Sequence, residues 1–489
     1  MRLSRHVDDG DQLQTQVTTS SSTLQFASMK ICLRNLGMIQ QAEMQLGDFN
    51  LLCGQNNSGK TYATYALYGF LAYWQQSLDI IHVSQSIVRT LLTEGSVEID
   101  IQQYIKNAPE IMRKCSEEYT KTLSHVFASS PSKFSNSSVE ISLDPGDIQP
   151  VSTFERTMGA ARHSLFSITK DSDSPSITIS LLVAKEEVTI PSSLISKIIG
   201  DTLKDIIFGS IFPRPFIASA ERTGAAIFRK ELHFDKNRLL KSLSSSSKDI
   251  DPFDLLQNTP SDYPLPIRDN VDFTRQIESV AKKRSFIASE HPEVISEFQS
   301  IIGGDYTVTK NDELYFIPHG KRSKLTVDES SSSVRSLLDI GFYIRHVAQR
   351  GDLLVVDEPE LNLHPSNQRC IARLFARLAN LGVKVFITTH SDHIIRELNT
   401  LIMLSKNDDR RKEIASQEKY DPTELLEPSK VRAFIAQESL VMLDGMKRRT
   451  KCRTLVSTAV DANRGIYASG FDDTISEINR IQDEIIWGQ

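Results

Sequence analysis

Apolar residues along the chain fall into two kinds of run. The first is short and nearly uninterrupted: Phe49-Asn50-Leu51-Leu52-Cys53, Phe216-Ile217-Ala218, Leu353-Leu354-Val355-Val356 and Val383-Lys384-Val385-Phe386-Ile387. Runs of this kind suit strands covered on both faces of a sheet. The second kind keeps a period. Alternation from Lys30 onward, punctuated by Gly37 and Gly47, predicts an antiparallel hairpin feeding the core sheet. Segment 176–190 (SITISLLVAKEEVTI) predicts another hairpin, 426–436 a short strand-like piece, and 303–327 a return to strands. Helical spacing dominates 62–126, 195–212 and 225–300, the last with a loose break at SLSSSSKDIDPFD. Residues 127–150, rich in Ser, Pro, Gly and Asp, read as loops around one strand. In a predicted helix over 474–487, Ile475, Ile478, Ile481, Ile485 and Ile486 share a face that packs on its own core or offers a partner surface.

Composition narrows the class without naming a function. A chain of 489 residues is expected to hold about two to four domains at roughly 150 residues each. Segment 1–28, with QTQVTTSSST at its centre, cannot bury enough apolar surface to order itself and is expected to be a disordered tail ahead of Met29. The net charge of −6, from 56 basic and 62 acidic residues, argues against a protein coated in nucleic acid but leaves room for a local basic groove. Cys32, Cys53, Cys115, Cys370 and Cys452 are scattered without a paired spacing, as in reduced thiols rather than a disulfide frame or zinc site. No apolar run approaches the roughly 18 residues of a membrane span, and the N-terminus lacks a secretion signal's apolar core. A cytoplasmic protein with no membrane partner is expected.

The chemistry concentrates at the ends of the buried runs. Gly54-Gln55-Asn56-Asn57-Ser58-Gly59-Lys60-Thr61 follows the first run and opens a helix. Four residues between two glycines, then Lys and Thr, form a phosphate-binding loop when set between strand and helix. The glycines let backbone amides close round phosphates, and the helix dipole adds positive potential. ATP is the expected ligand, with Lys60 on its β and γ phosphates and the Thr61 hydroxyl on Mg2+. Asp357 and Glu358 close another buried run, where open α/β sheets bind ligands. Asp357 would hold Mg2+ and Glu358 would polarise the attacking water. His390 ends a further strand and is expected to sense the γ-phosphate.

The order of phosphate loop, long insertion, LLVVDEPELNLHP and FITTHS resembles the ABC-type ATPase heads of the RecF, SMC and OLD group. The resemblance implies an α/β head with a mixed sheet and flanking helices, closing face to face with a second head on two ATP molecules. It also implies Walker A at Gly54, Gln55, Asn56, Asn57, Ser58, Gly59, Lys60 and Thr61, and a Walker B aspartate at Asp357. Glu358 then matches the catalytic glutamate and His390 the switch histidine, while 360–365 occupies the D-loop position. Arg34 and Asn35 resemble the first strand of such heads, which passes near the nucleotide. Ser331, Ser332 and Ser333 stand where the signature loop would offer hydroxyls to a partner's γ-phosphate, with serine replacing the family's usual glycine.

The blocks at 29–80 and 326–405 would form the head, around a mainly helical insertion lobe at 81–325 and before a C-terminal extension at 406–489. Transporter heads have a far shorter insert, and SMC proteins carry long heptads in that position. The segment after His390 holds Asp408-Asp409 and Asp472-Asp473, but no Asp-x-Asp on an apolar strand such as a TOPRIM nuclease needs. The chain therefore resembles a stand-alone OLD-like ATPase without its own nuclease, most similar to the ATPase subunit of PARIS-type anti-phage systems. The Septu-type ATPase is the nearest rival. That resemblance implies a head-to-head dimer or larger assembly, a nuclease effector from an adjacent gene and a phage-encoded trigger. The alternative is a RecF-like repair ATPase binding duplex DNA with ATP. Basic clusters at Lys447-Arg448-Arg449 with Lys451 and Arg453, Lys282-Lys283-Arg284 and Lys321-Arg322-Lys324 are surface charge or DNA contacts. Glu221-Arg222 either closes a turn as an ion pair or faces the nucleotide.

Overall fold

A computed structural model describes residues 29–467 except 78–79, 161–162, 173, 184–190, 230–262, 310 and 312, together with 480, 481 and 484. The expected N-terminal tail, the second arm of the 176–190 hairpin, the break near SLSSSSKDIDPFD and nearly all of the 474–487 helix lie outside the described residues. The chain divides into two compact units. One contains Trp74–Cys115 and Ile141–Phe212; the other contains Lys30–Tyr73, Ser116–Glu140 and Pro213–Gln489. No helix among the described residues is long and apolar enough to cross a membrane.

The larger unit is the expected α/β assembly, a mixed sheet with flanking helices. Its six strands lie in the order Thr450–Thr458, Val431–Val441, Phe49–Gly54, Lys384–Thr389, Leu353–Asp357 and Pro215–Ala218. All neighbours are parallel except the first pair. Phe49, Leu51, Leu52, Leu353, Leu354, Val355, Val356, Phe386 and Ile387 are fully buried, as uninterrupted apolar runs require. Each such side chain contributes roughly 1.5–3 kcal/mol of apolar burial. Helix Pro365–Asn380 begins where His364 caps its first turn and Pro365 supplies a preset φ. Parallel register brings the carboxyl ends of five strands to one edge, pairing Cys53 with Thr389, and Asp357 with Thr388.

Several expectations change here. The hairpin Lys30–Leu36 and Ile39–Gln45 forms as read, but in a separate three-stranded sheet with Ser138–Ser142 rather than the core sheet. The strand-like piece at 426–436 is an eleven-residue strand, Val431–Val441, lying directly beside the phosphate-loop strand. Thr450–Thr458, unread because Lys451, Arg453 and its hydroxyl residues mask the alternation, pairs with it. The core sheet continues past position 405/406 into the C-terminal part. Residues 81–325 divide between the two units. The strands expected at 303–327 are present as Gly304–Val308, Leu314–Pro318 and Leu325–Thr326.

The smaller unit carries the helices Gln85–Glu94 and Ser192–Phe208 and a four-stranded antiparallel sheet. Its strand order is Ser96–Asp100, Ser176–Leu181, His163–Lys170, Phe154–Ala160. Strand Ser96–Asp100 interrupts the helical reading of 62–126 because SVEID alternates too briefly to outweigh its helical flanks. Trp74 packs on Phe208 and Phe212. Lys204 stays buried because its ammonium donates to the carbonyls of Trp74 and Ser77 and pairs with Asp201.

Candidate functional site

The phosphate loop leaves the sheet at Gly54, whose φ of +147° suits a residue without a Cβ. A methyl there would lie 2.6 Å from the Ala436 carbonyl, so the neighbouring strand excludes any side chain. Gln55, Asn56 and Asn57 form the exposed crest. Gly59 turns back at φ +102°, where a methyl would lie 2.8 Å from Ile39 Cγ1. The loop is thus held between the Val431–Val441 strand and the hairpin turn. The helix opens at Lys60 and runs to Gln76, its Ala63 amide bonding the Gly59 carbonyl at 3.1 Å.

Lys60 folds back across this loop. Its Nζ donates to the carbonyls of Gly54 and Gln55, both at 2.8 Å, and the side chain is buried. Burial pulls its pKa down, while the carboxylates of Glu358, Asp357 and Glu360 pull it back up. The cation is therefore poised between the loop and the acidic strand end. Ser58 adds a buried hydroxyl without a hydrogen-bond partner among the described residues. An orphaned polar atom in a loop of tightly turned backbone fits an anionic ligand. Thr61, in the first helical turn, is exposed.

Asp357 closes its strand almost completely buried, and burial pushes its carboxyl up to about 6. The Thr388 hydroxyl donates to Asp357 Oδ1 from the adjacent strand. Glu358 follows at φ +50°, a left-handed backbone that a non-glycine residue adopts at a cost. Its amide donates to the Thr388 hydroxyl at 3.1 Å and to the Thr388 carbonyl at 3.2 Å. His390 closes the third strand with Nδ1 3.6 Å from Glu358 Oε1 and 3.2 Å from Glu360 Oε1. Glu360 Oε1 also accepts the Thr389 hydroxyl and the His390 amide, each at 2.8 Å.

The structure thus brings 54–61, Asp357, Glu358 and His390 to one edge of the sheet. Arg34 and Asn35 are directed elsewhere: Arg34 pairs with Glu140 and Asp444, and Asn35 donates to the Asn136 carbonyl. Ser331 and Ser333 share a hydroxyl contact of 2.8 Å at the start of the short helix Ser332–Ser336. Ser331 and Ser332 are exposed. No group of three or more His, Cys, Asp or Glu among the described residues could hold a metal unaided. Mg2+ is bound by one or two protein oxygens together with the phosphates of a nucleotide. Thr61 and Asp357 would supply those oxygens.

Motif reading left four residues without these roles. Glu360 tethers His390, and Thr388 braces both Asp357 and Glu358. Arg222, read as a turn ion pair or a nucleotide contact, instead turns inward to main-chain carbonyls, including those of Asp357 and Glu358. Arg453, grouped with a basic cluster, donates through Nη1 to the Asn57 carbonyl of the phosphate loop at 3.0 Å. Polar residues at the end of an apolar strand were the only advance signal for Thr388. Arg453 offered none, because its strand was unread.

Residues 29–395 match the model of the family described as AAA ATPase domain. No curated protein matches the chain. Among solved structures, the SMC head bound to the C-terminal winged-helix domain of ScpA is 12% identical, covering 88% of this chain and 98% of that one, with a TM-score of 0.33. An SMC head with an extended coiled coil, bound to the C-terminal domain of ScpA and derived from Pyrococcus furiosus, is also 12% identical. It covers 93% of this chain and 99% of that one at a TM-score of 0.30. The SMC head domain from Thermotoga maritima is 10% identical, covering 89% and 100% at 0.26.

Proposed function

The chain belongs to the AAA ATPase domain family, and from that premise we propose an ABC-type, OLD-like ATPase whose nucleotide cycle controls a second protein. The observation that carries the ATPase chemistry is the convergence of Lys60, Asp357, Glu358 and His390 at one sheet edge. Bound ATP would place its phosphates along the loop amides and Lys60, with Mg2+ held by Thr61 and Asp357. Glu358, with its backbone clamped, orients the attacking water, and His390 stands beside it through Nδ1. Ser331 and Ser332, exposed at a helix start, and the half-buried Ser333 supply the γ-phosphate contact of a second copy closed head to head.

The finer reading is a sensor subunit of an anti-phage system that restrains or releases a toxic nuclease supplied by another chain. Its support is the motif resemblance to PARIS-type ATPases, including the block from Thr388 to Leu398 and the segment from Phe216 to Gly224. The test is co-expression with the product of the neighbouring gene, followed by purification of the wild type and Lys60→Ala. Co-elution of a nuclease that depends on Lys60 supports the switch. If no partner appears and the protein alone retains duplex DNA with ATP, a RecF-like repair ATPase replaces it.

A further inference from the structure

Arg222 is almost wholly buried, yet every hydrogen bond it donates goes to a main-chain carbonyl. Nε reaches Ser336 at 2.7 Å; Nη1 reaches Ser219 at 2.8 Å and Asp357 at 2.7 Å; Nη2 reaches Glu358 at 2.8 Å. Those acceptors belong to three pieces of chain. Ser219 follows the edge strand, Asp357 and Glu358 form the acidic strand end, and Ser336 ends the short helix after the serine loop. A guanidinium that makes no direct ion pair among the described residues is costly to bury, even with the carboxylates of Asp357, Asp339, Glu360 and Glu358 nearby, and an apolar side chain would fill the space more cheaply. What the arginine adds is a fixed relation among the three pieces.

The two ends of that relation matter most. Glu358 sits at φ +50°, its amide held by Thr388 and its carbonyl by Arg222. At the other end, the Ser336 hydroxyl donates to the Ser333 carbonyl at 3.0 Å, and the Leu337 amide donates to it at 3.2 Å. The serine loop and the Glu358 turn therefore meet at one guanidinium. A second polar layer backs it. Asn270 accepts from the Ser219 amide and hydroxyl, then donates to Asp339 at 2.6 Å, which also accepts from Thr274 at 3.1 Å.

We propose that Arg222 is a positioning residue that couples the serine loop to Glu358, so that a contact made at Ser331, Ser332 or Ser333 sets the orientation of the Glu358 carboxylate. The inference rests on the reading of Glu358 as the group that orients the attacking water. It extends that reading by making hydrolysis conditional on what occupies the serine loop.

Arg222→Lys in the full chain tests it, since one ammonium cannot span carbonyls on three segments while the charge is kept. Steady-state hydrolysis and binding of a fluorescent ATP analogue are measured together. The expected result is kcat lower by about 100-fold, the scale of a small misplacement of a reacting group, with analogue affinity near wild type and cooperative folding retained. Ser332→Ala lowers kcat in the wild type but adds nothing in the Arg222→Lys background. Additive effects, an unchanged kcat, or kcat and affinity falling together with Tm would each overturn the coupling. If Arg222→Lys does not fold, hydrogen exchange on the wild type decides. ATP with Mg2+ should protect the amides of Ser332–Ser336 and Glu358 together, and protection of only one group sinks the proposal. A wild type that neither binds nor hydrolyses ATP ends the ATPase reading and the coupling with it, whereas turnover indifferent to Arg222 ends only the coupling.

Discussion

The His390 imidazole lies closer to Glu360 than to Glu358, with Nδ1 at 3.2 Å against 3.6 Å. The same Glu360 oxygen accepts the His390 amide and the Thr389 hydroxyl, so it fixes the whole strand end. Removing it frees the imidazole while leaving the phosphate loop intact. Glu360→Ala is expected to keep analogue binding but lose turnover by about 100-fold, the usual scale for a displaced acid, base or sensor group. Unchanged turnover would show that Glu360 only caps a turn.

Lys60→Ala should act on binding itself. Its ammonium is the buried cation of the phosphate loop, and losing a charge-assisted hydrogen bond weakens ATP by about 10- to 100-fold. A thermal shift reads this directly. With ATP and Mg2+ at about 100 times Kd the wild type gains roughly 2.7 kcal/mol of apparent stability. The variant should keep only about 0.4–1.4 kcal/mol of that gain at the same concentration. An equal shift in both proteins removes Lys60 from the site.

The buried network behind Arg222 predicts a pH effect. Burial pushes Asp339 up to about 6 from an ordinary value near 3.8, against the opposing pull of Asn270, Thr274 and Arg222. A folded-state pKa above the unfolded one means that the folded protein holds the proton more tightly. Its contribution is full below the unfolded value, is lost as pH rises toward about 6, and stays lost above that. Asp339→Asn should therefore shrink the fall in Tm between pH 5 and pH 8 by about a few degrees. Parallel curves for wild type and variant would place the pH dependence elsewhere.

How much of this was readable depended on what each residue answers to. The phosphate loop, the Leu353–Asp357 strand and the Lys384–Thr389 strand answer to local rules: glycines at tight turns, apolar runs, carboxylates at a strand end. All three elements lie where those rules place them. Val431–Val441 and Thr450–Thr458 were missed or shortened because their exposed tips carry Gln437, Glu438 and Lys451, and only neighbours distant in sequence complete their burial. Arg222 is the extreme case. Its partners at Ser336, Asp357 and Glu358 lie more than one hundred positions away, so no spacing rule could announce them.

Arg453 separates a phosphate-loop role from a general basic surface. It reaches the Asn57 carbonyl through its side chain, and its amide donates to Gln40 at 2.7 Å. Lys451, two positions earlier on the same strand, pairs with Glu438 and is exposed. Arg453→Ala is expected to weaken ATP by about 10-fold, the value of one charge-assisted hydrogen bond, whereas Lys451→Ala should change it little. Equal losses in the two variants, relieved together by salt, would instead favour a diffuse basic surface.

Glu358→Gln distinguishes a hydrolysis-driven switch from a nucleotide-dependent scaffold. Glutamine preserves the side chain's size, and the bonds that hold position 358 are made by its amide and carbonyl, so the left-handed turn should persist. What disappears is the carboxylate that would polarise water. Turnover is expected to fall by about 10²–10⁴-fold, the contribution of a positioned general base, while ATP remains bound. If two heads close on ATP, light scattering should show dimers accumulating with ATP in Glu358→Gln and none in Lys60→Ala. A scaffold would keep its hold on a partner in that trapped state, because holding needs only bound ATP. A hydrolysis-driven switch would lose its biological output despite intact binding. Wild-type turnover in Glu358→Gln would remove Glu358 from the chemistry and shift the base to another group at the same sheet edge.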